Sequence, residues 1–182
     1  IRVNKMRRFS CALTVTILCS LGGCIPWFLL PDEFNPSSQS WILKWNHIAV
    51  DASGLDHTPT KPGDTRVFGH QLGPTRSSRA MAIVHIAMFE AVNAIVGGYE
   101  SYTGTSPAPA NTSMRAAICQ SAHDTLLALF PSHAPNFAAK LAEDLESIPD
   151  GAEKQNGIAL GQQTAAAILA IRENDGSELE LP

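Results

Sequence analysis

Three sets of side chains in this sequence belong to residue types that do acid–base or metal chemistry. The first set, Asp56, His57, Asp64 and His70, lies within residues 53–72. A metal site needs its ligands at defined spacing on rigid elements. This stretch has three glycines and two prolines, a composition that predicts a long, flexible loop. We therefore expect no metal site from these residues.

The second set lies on one long predicted helix. At about 100° per residue, Arg79 and Glu90 share a stripe, but they are three turns apart, too far for a direct ion pair. His85 lies among apolar side chains, and a single histidine in such surroundings is usually a core residue bonded to its neighbours. We expect Arg79 and Glu90 each to reach a neighbouring element, and His85 to be structural.

The third set is His123 and Asp124, on another predicted helix with Cys119 one turn earlier. Consecutive helical residues point about 100° apart, so we do not expect His123 and Asp124 to act together. Cys119 has an apolar helical context and is expected to be a small core residue. From the residues themselves we assign no catalytic, cofactor-binding or metal-binding side chain.

Helices must position all of these side chains. The run from the Gly73-Pro74 turn to Gly97-Gly98 has no helix breaker and is apolar around most of its circumference. A helix of that kind is normally buried inside a larger all-helical body, so we expect it to have neighbours on several sides, some of them helices beyond this chain. Further predicted helices cover Trp41–Ala52, residues 112–130, 132–148 and 152–172. No stretch shows strand alternation, and the sequence therefore predicts an all-α helical bundle.

Capping residues set the predicted ends of these helices. Asn111 or Thr112 is expected to cap the third helix, and Ser132 the fourth. Residues 150–153 have the form of a capping box for the last helix. Within that helix Gly157 and Gly161 lie one turn apart, a spacing that lets another helix approach closely.

Charge is distributed unevenly along the chain. The net charge is −4 overall, but Arg2, Lys5, Arg7 and Arg8 all precede residue 24. The remainder carries 9 basic and 17 acidic residues, or −8. An acidic surface argues against nucleic acid as a partner, because nucleic-acid binding requires Lys and Arg patches. The same balance gives no support to a phosphate-like anion site.

The first forty residues resemble an export signal followed by a tether. Residues 1–23 combine a basic start with a short apolar run, and Leu21-Gly22-Gly23-Cys24 resembles a bacterial lipobox in which Cys24 carries lipid. Residues 24–40 then form a tether, and residues 41–182 the helical domain. An ordinary signal cleaved elsewhere and an uncleaved anchor over Phe9–Leu30 stay open. The expected location is periplasmic, membrane-anchored or secreted.

Several segments in order resemble vanadium-dependent haloperoxidases of the PAP2-type acid phosphatase superfamily. They are Trp45-Asn46, GPTRSSRAMAIVHIAMFEAVNAI, QSAHDTLLALFP and GIALGQQTAAAILAIRENDG, spread over residues 41–177. The resemblance implies an all-helical fold in which vanadate, held by Lys, Arg and Ser-Gly-His groups, lets hydrogen peroxide oxidise halide. Ser-Gly-His is absent from the sequence. Ser78-Arg79 and His85 do not complete the family's terminal motif, because Phe89 stands where an Asp belongs.

The resemblance therefore implies the amino-terminal half of a haloperoxidase-like protein, truncated before its catalytic motifs and inactive by itself. Two alternatives stay open. In the first alternative, the longer protein is a phosphatase, because vanadate mimics phosphate and one pocket can serve either chemistry. In the second, the chain is a non-enzymatic helical lipoprotein that acts as an interaction module. Vanadate is the expected cofactor of the full-length protein, and hydrogen peroxide and halide are its expected substrates. A lipid anchor would join the protein to a membrane. A homo-oligomer is a further alternative.

Overall fold

The computed structural model describes residues 36–177, and their side chains from residue 40 onward. The predicted signal over residues 1–23, Cys24 and most of the tether lie outside the described residues. Five α-helices follow in the order α1 (Pro36–Asp56), α2 (Pro74–Val96), α3 (Met114–Leu129), α4 (Ala134–Glu146) and α5 (Ala152–Arg172), with a short 3₁₀ turn at Pro131–His133. No strand occurs within residues 36–177, and the all-α prediction is confirmed.

The helix at the centre of the bundle is α3, which packs against each of the other four helices. Almost its entire circumference is buried, including Ile118, Gln120, Ser121 and Thr125. The expectation that α2 has neighbours on several sides is confirmed. That helix packs on α1, α3 and α5, and it still leaves Phe89 39% and Val96 44% exposed.

Length and composition alone would allow α2 to cross a membrane. Buried helices of soluble proteins meet the same criteria, and 44% of its most apolar window is buried within the bundle. Ala80, Ile83, Val84, Ala87 and Met88 face its neighbours. The apolar breadth of α2 is therefore used in part for packing inside the described part of the chain.

Two glycines allow α3 and α5 to approach each other closely. A Cβ atom added at Gly157 would lie 2.4 Å from the Ser113 carbonyl oxygen, and one added at Gly161 would lie 2.7 Å from that of Ala117. Both distances are shorter than any ordinary contact. The prediction that this glycine pair marks a close helix approach is confirmed.

The first helix is longer than predicted. It begins at Pro36, so residues 36–40, assigned to the tether, are helical, and it continues through Gly54 to Asp56. Trp45 of α1 is fully buried in the core, as are Phe130 and Phe137. The helix continues past Gly54 because the buried Asp56 carboxylate accepts hydrogen bonds from the backbone N–H groups of His70 and Gln71.

The predicted caps are mostly replaced by others. Ser113, not Asn111 or Thr112, caps α3, and its side chain accepts a hydrogen bond from the Ala116 N–H at 3.3 Å. Ser132 lies within the 3₁₀ turn, and α4 begins after His133. The capping box at residues 150–153 does not form, because Gly151 occupies the cap position with no side-chain bond.

Candidate functional site

The side chains singled out on α2 have structural roles. His85 Nε2 lies 3.0 Å from Asn46 Oδ1 on α1, as expected of a histidine bonded to its neighbours. Glu90 is fully buried and accepts hydrogen bonds from the Ser101 hydroxyl and the Tyr102 N–H, both at 2.6 Å. It fixes the connector that follows α2. The prediction that Glu90 reaches a neighbouring segment is confirmed.

Hydrogen bonds tie the residues between α1 and α2 to the ends of both helices. Asp56 is fully buried, and its carboxylate accepts hydrogen bonds from the backbone N–H groups of His70 at 2.7 Å and Gln71 at 2.8 Å. His57 Nε2 accepts from the Gly73 N–H at 3.0 Å. Asp64 pairs with Arg66, whose hydrogen bonds lower the pKa of this carboxyl. The predicted loop is confirmed over residues 57–73, and these hydrogen bonds fix several of its points to the protein.

His123 and Asp124 do meet, against the expectation from their helical angle. His123 Nδ1 lies 2.7 Å from Asp124 Oδ1, and the Gln120 amide donates to the same oxygen at 2.8 Å. The Asp124 carboxylate turns along the helix surface toward both neighbours. No described cluster of three or more His, Cys, Asp or Glu side chains could hold a metal ion, and this pair has no third ligand.

Cys119 is fully buried beside a polar contact between α1 and α4. Asp144 Oδ2 accepts a hydrogen bond from the Trp45 indole at 3.0 Å, and its other oxygen pairs with Lys44. Burial, with a smaller effect of the Asp144 charge, raises the pKa of the Cys119 thiol to about 12. Because the thiolate is the reactive form, Cys119 is inert at neutral pH, and its prediction as a core residue is confirmed.

His133 is buried, and its ring nitrogen Nε2 has no hydrogen-bond partner among the described residues. Its ring stacks on Phe137 with centroids 5.9 Å apart and meets the edge of Phe130. Burial lowers the pKa of His133, with the nearby Arg66 charge acting in the same direction. His133 therefore packs as a neutral aromatic ring, which is the favoured form for an imidazole in apolar surroundings.

Basic side chains come together in a cleft between the start of α2 and the end of α5. The cleft has a volume of about 630 Å³. Its polar lining includes Arg76 and Arg79 from α2 and Arg172 from α5, and Ile83, Leu129 and Leu169 form its apolar part. Three of the nine Lys and Arg residues in the described chain thus face one cavity. We name this cavity the arginine cleft.

Arg79 and Arg172 are held in place by neighbouring groups. Arg79 Nε donates to Asp175 at 2.8 Å, and another of its nitrogens donates to the Arg172 carbonyl oxygen at 2.9 Å. Arg172 binds the Tyr102 hydroxyl and lies 5.7 Å from the centre of that ring. The hydrogen bond from Arg79 lowers the pKa of Asp175 to about 2.

The arginine cleft was missed by the sequence analysis. The total charge indicated no anion site, because acids elsewhere in the chain outnumber these arginines. A usable signal was the position of Arg76 and Arg79 in the first two turns of α2 and of Arg172 in the last turn of α5. Nothing in the sequence states that those two helix ends meet.

The described residues do not fit a vanadate site of the kind that the family resemblance implies. The family's vanadate needs a histidine beside a Ser-Gly turn, and the chain has no Ser-Gly-His. His70 is the histidine that lines the arginine cleft, and its Nε2 lies 3.2 Å from the Ser132 hydroxyl. Arg79 is held by Asp175. The cleft is therefore a different arrangement from that centre.

The sequence of this chain has a distant similarity to a known enzyme. The chain is similar to vanadium chloroperoxidase from Curvularia inaequalis. The two are 26% identical over 145 residues, an alignment that covers 75% of this chain and 22% of that relative. The chain thus spans less than a quarter of the relative's length. No protein-family profile and no solved structure matches it. At this level the similarity supports the haloperoxidase superfamily and nothing finer.

Proposed function

We propose that this chain is the amino-terminal helical scaffold of an exported, vanadium-dependent haloperoxidase-like protein. The observation that carries the proposal is the similarity to vanadium chloroperoxidase over three-quarters of the chain. The all-helical bundle of the described residues supports it. In the proposed full-length protein, vanadate supplies the centre at which hydrogen peroxide oxidises halide.

The buried polar contacts explain why we assign the chain a scaffold role. Asp56, Glu90 and Asp144 are almost fully buried, and each fixes another part of the chain. Breaking one member of such a contact leaves a buried charge without its partner and costs several kcal/mol. These carboxylates hold helices and connectors in place. Among the described residues, none of them belongs to a cluster of three or more His, Cys, Asp or Glu side chains that could hold a metal ion.

Activity of the longer protein tests the proposal. The 182-residue chain and the longer polypeptide read from the same frame are purified, supplied with vanadate, peroxide and bromide, and assayed for bromination of a phenolic dye. We expect activity from the longer polypeptide and none from the 182-residue chain. A matched control replaces the histidine of a downstream Ser-Gly-His motif with alanine, which should abolish bromination.

Other outcomes identify the alternatives. Hydrolysis of a phosphomonoester without bromination would assign the longer protein to the phosphatases of the superfamily. A reading frame that ends after Pro182, with neither activity, would leave the non-enzymatic interaction module. Bromination by the 182-residue chain alone would contradict the scaffold assignment.

Export and lipid attachment are a separate part of the proposal. We infer that residues 1–23 are removed and that Cys24 is acylated, which would place the protein at a membrane surface. Metabolic labelling with a radioactive fatty acid should mark the expressed protein, and the label should be lost in Cys24→Ser. The buried Cys119 provides the matched control, because Cys119→Ser should keep the label. Labelling that survives Cys24→Ser would contradict the lipid assignment.

A further inference from the structure

The exposed side of α2 carries no charged side chain over most of its length. At about 100° per residue, Ser78, Ala82, Phe89 and Val96 fall within about 40° of one another around the helix, and all four are exposed. Between residues 80 and 96 the sequence has one charged residue, Glu90, which is fully buried. The outer side of a helix is normally polar, and an exposed apolar surface commonly marks an interaction site.

Helix α1 widens this apolar surface. Its Asn46 side chain contacts His85 of α2, and Leu43 and Val50 lie within about 60° of Asn46 around α1. Leu43 is 57% and Val50 is 51% exposed, so two more large apolar side chains border the exposed side of α2. We name the surface formed by Leu43, Val50, Ser78, Ala82, Phe89 and Val96 the α1–α2 face.

Side-chain size changes along α2 from one end of this face to the other. The small residues Ser78 and Ala82 lie near the start of the helix, and Phe89 and Val96 lie in its second half. The Phe89 ring meets the edge of Tyr99 with centroids 6.0 Å apart, and Tyr99 is 77% exposed. The α1–α2 face therefore has a hollow end and a bulky end.

The hollow end of one copy matches the bulky end of a second copy. A groove of about 410 Å³ deepens the hollow end; its lining is Val50, Ser53, Gly54, His57, Ser77 and Met81. In a pair related by a two-fold axis, the same surface patch is used by both copies, and the two α2 helices can run antiparallel. With the axis at the level of residue 87, Ser78 lies opposite Val96 of the second copy. Each large side chain then meets a small one.

Charge and area both suit a second copy as the partner. After residue 24 the chain has 9 basic and 17 acidic residues, or a net charge of −8, so two copies repel each other and their contact is favoured at an uncharged face. Residues 78–96 of α2 span about 28 Å, and two helices side by side are about 20 Å wide. The α1–α2 face thus covers about 600 Å² in each copy, and the total of about 1,200 Å² reaches the lower limit of specific interfaces.

We propose that the chain forms a two-fold homodimer through the α1–α2 face, with the two α2 helices antiparallel. Phe89 and Val96 of each copy pack against the hollow end of the other, and α1 and α2 of both copies form a four-helix contact. Burial of apolar surface drives the association. The exposed His47 and Asp51 lie further round α1 from α2, where they form the polar rim that such interfaces have.

The direct test is the mass of the 182-residue chain, measured by analytical ultracentrifugation over a series of protein concentrations. We expect a reversible equilibrium between one chain and two. Phe89→Glu should raise the dissociation constant by about tenfold or more, because it removes a central aromatic contact and brings two carboxylates together. Leu127→Glu is the matched control and should change nothing, since Leu127 has a similar exposure of 37% but lies on α3, outside the α1–α2 face.

Two results of this measurement would overturn the proposal. The first is a single chain at every concentration, which would leave the face to the rest of a longer protein. The second is association that Phe89→Glu does not weaken, which would place the contact elsewhere, for example in the apolar residues 9–30.

Disulfide cross-linking tests the antiparallel arrangement. In a chain whose own cysteines are replaced by serine, Ser78→Cys and Val96→Cys are combined. These positions are about 27 Å apart along one helix, too far for a disulfide within a chain, so oxidation should join two copies. Either substitution alone should cross-link far more slowly, because each position lies about 27 Å from its own equivalent in the second copy.

The cross-linking result decides the question even if Phe89→Glu does not fold. Circular dichroism establishes that each variant is folded. No covalent dimer from the combined variant, or equally fast cross-linking by a single substitution, would overturn the proposed arrangement.

Discussion

The close approach of α3 and α5 makes a prediction whose sign opposes ordinary helix propensity. A methyl group at Gly161 would lie 2.6 Å from the Cβ of Gln120, 2.7 Å from the Ala117 carbonyl oxygen and 2.9 Å from the Ser121 nitrogen. Two of these three atoms belong to the backbone and cannot rotate away. Overpacking of a core costs about 1–3 kcal/mol, and backbone contacts at these distances place Gly161→Ala at the upper end.

Propensity partly offsets this cost. Replacing glycine with alanine inside a helix favours folding by about 1 kcal/mol, so Gly161→Ala should lower the free energy of unfolding by about 2 kcal/mol. Gly54 in α1 is the matched control, because a Cβ atom there meets nothing within 4 Å. Gly54→Ala should raise the free energy of unfolding by up to about 1 kcal/mol. Both changes are measured by urea denaturation followed by circular dichroism.

The two substitutions are chemically identical, so a difference in sign between them isolates the packing contribution. A Gly161→Ala variant as stable as the parent would show that α3 and α5 can separate at little cost. That result would refute the reasoning from the close contact.

Three further predictions concern buried and paired groups. Glu90→Gln should destabilise the fold by about 2 kcal/mol, because it removes a buried charge acceptor and turns one of the two oxygens that accept from Ser101 and Tyr102 into an N–H₂ donor. Hydrogen exchange should then quicken in residues 101–105, and unchanged exchange there would contradict this. In a chain whose other cysteines are replaced by serine, Cys119 should react with a disulfide reagent at pH 8 far more slowly in the native protein than in urea. The reason is that burial raises the pKa of this thiol to about 12. Equal reaction rates in the two conditions would refute the burial of Cys119. The parent and Asp175→Asn should differ in free energy of unfolding by a constant amount above about pH 4, and this difference should decline as pH falls toward 2. The reason is that the pKa of Asp175 in the folded protein lies below the ordinary value of 3.8. A difference that persists at pH 1.5 would exclude the Arg79 pairing as its source.

Local patterns predicted the helices well because their signals are local. Helix α2 extends from Pro74 to Val96, between the two turns whose glycines and proline mark its ends. The glycine pair of α5 predicted its own role, since only a close neighbour explains two small residues one turn apart. The apolar spacing of α4 likewise places Phe137 in the core.

Features that depend on distant residues escaped prediction. The helical end of α1 at residues 53–56 is stabilised by the bonds that Asp56 makes to His70 and Gln71, which the local sequence does not contain. The apolar residues of α3 predicted that it packs in the core, but its central position depends on which helices surround it, and its own sequence does not contain that information. The arginine cleft requires residues 76 and 172 to meet, and only the folded bundle brings them together.

The contact between α1 and α4 has a consequence for the order of events during synthesis. Lys44 and Trp45 bind Asp144, which lies 100 and 99 residues further along the chain. At about 5–20 residues per second, a ribosome takes roughly 5–20 s to add that much chain. Throughout this interval the indole of Trp45 has no native partner for its N–H group. The contact between α1 and α4 therefore cannot form until Asp144 has been synthesised, and α1 waits for its partner throughout this interval.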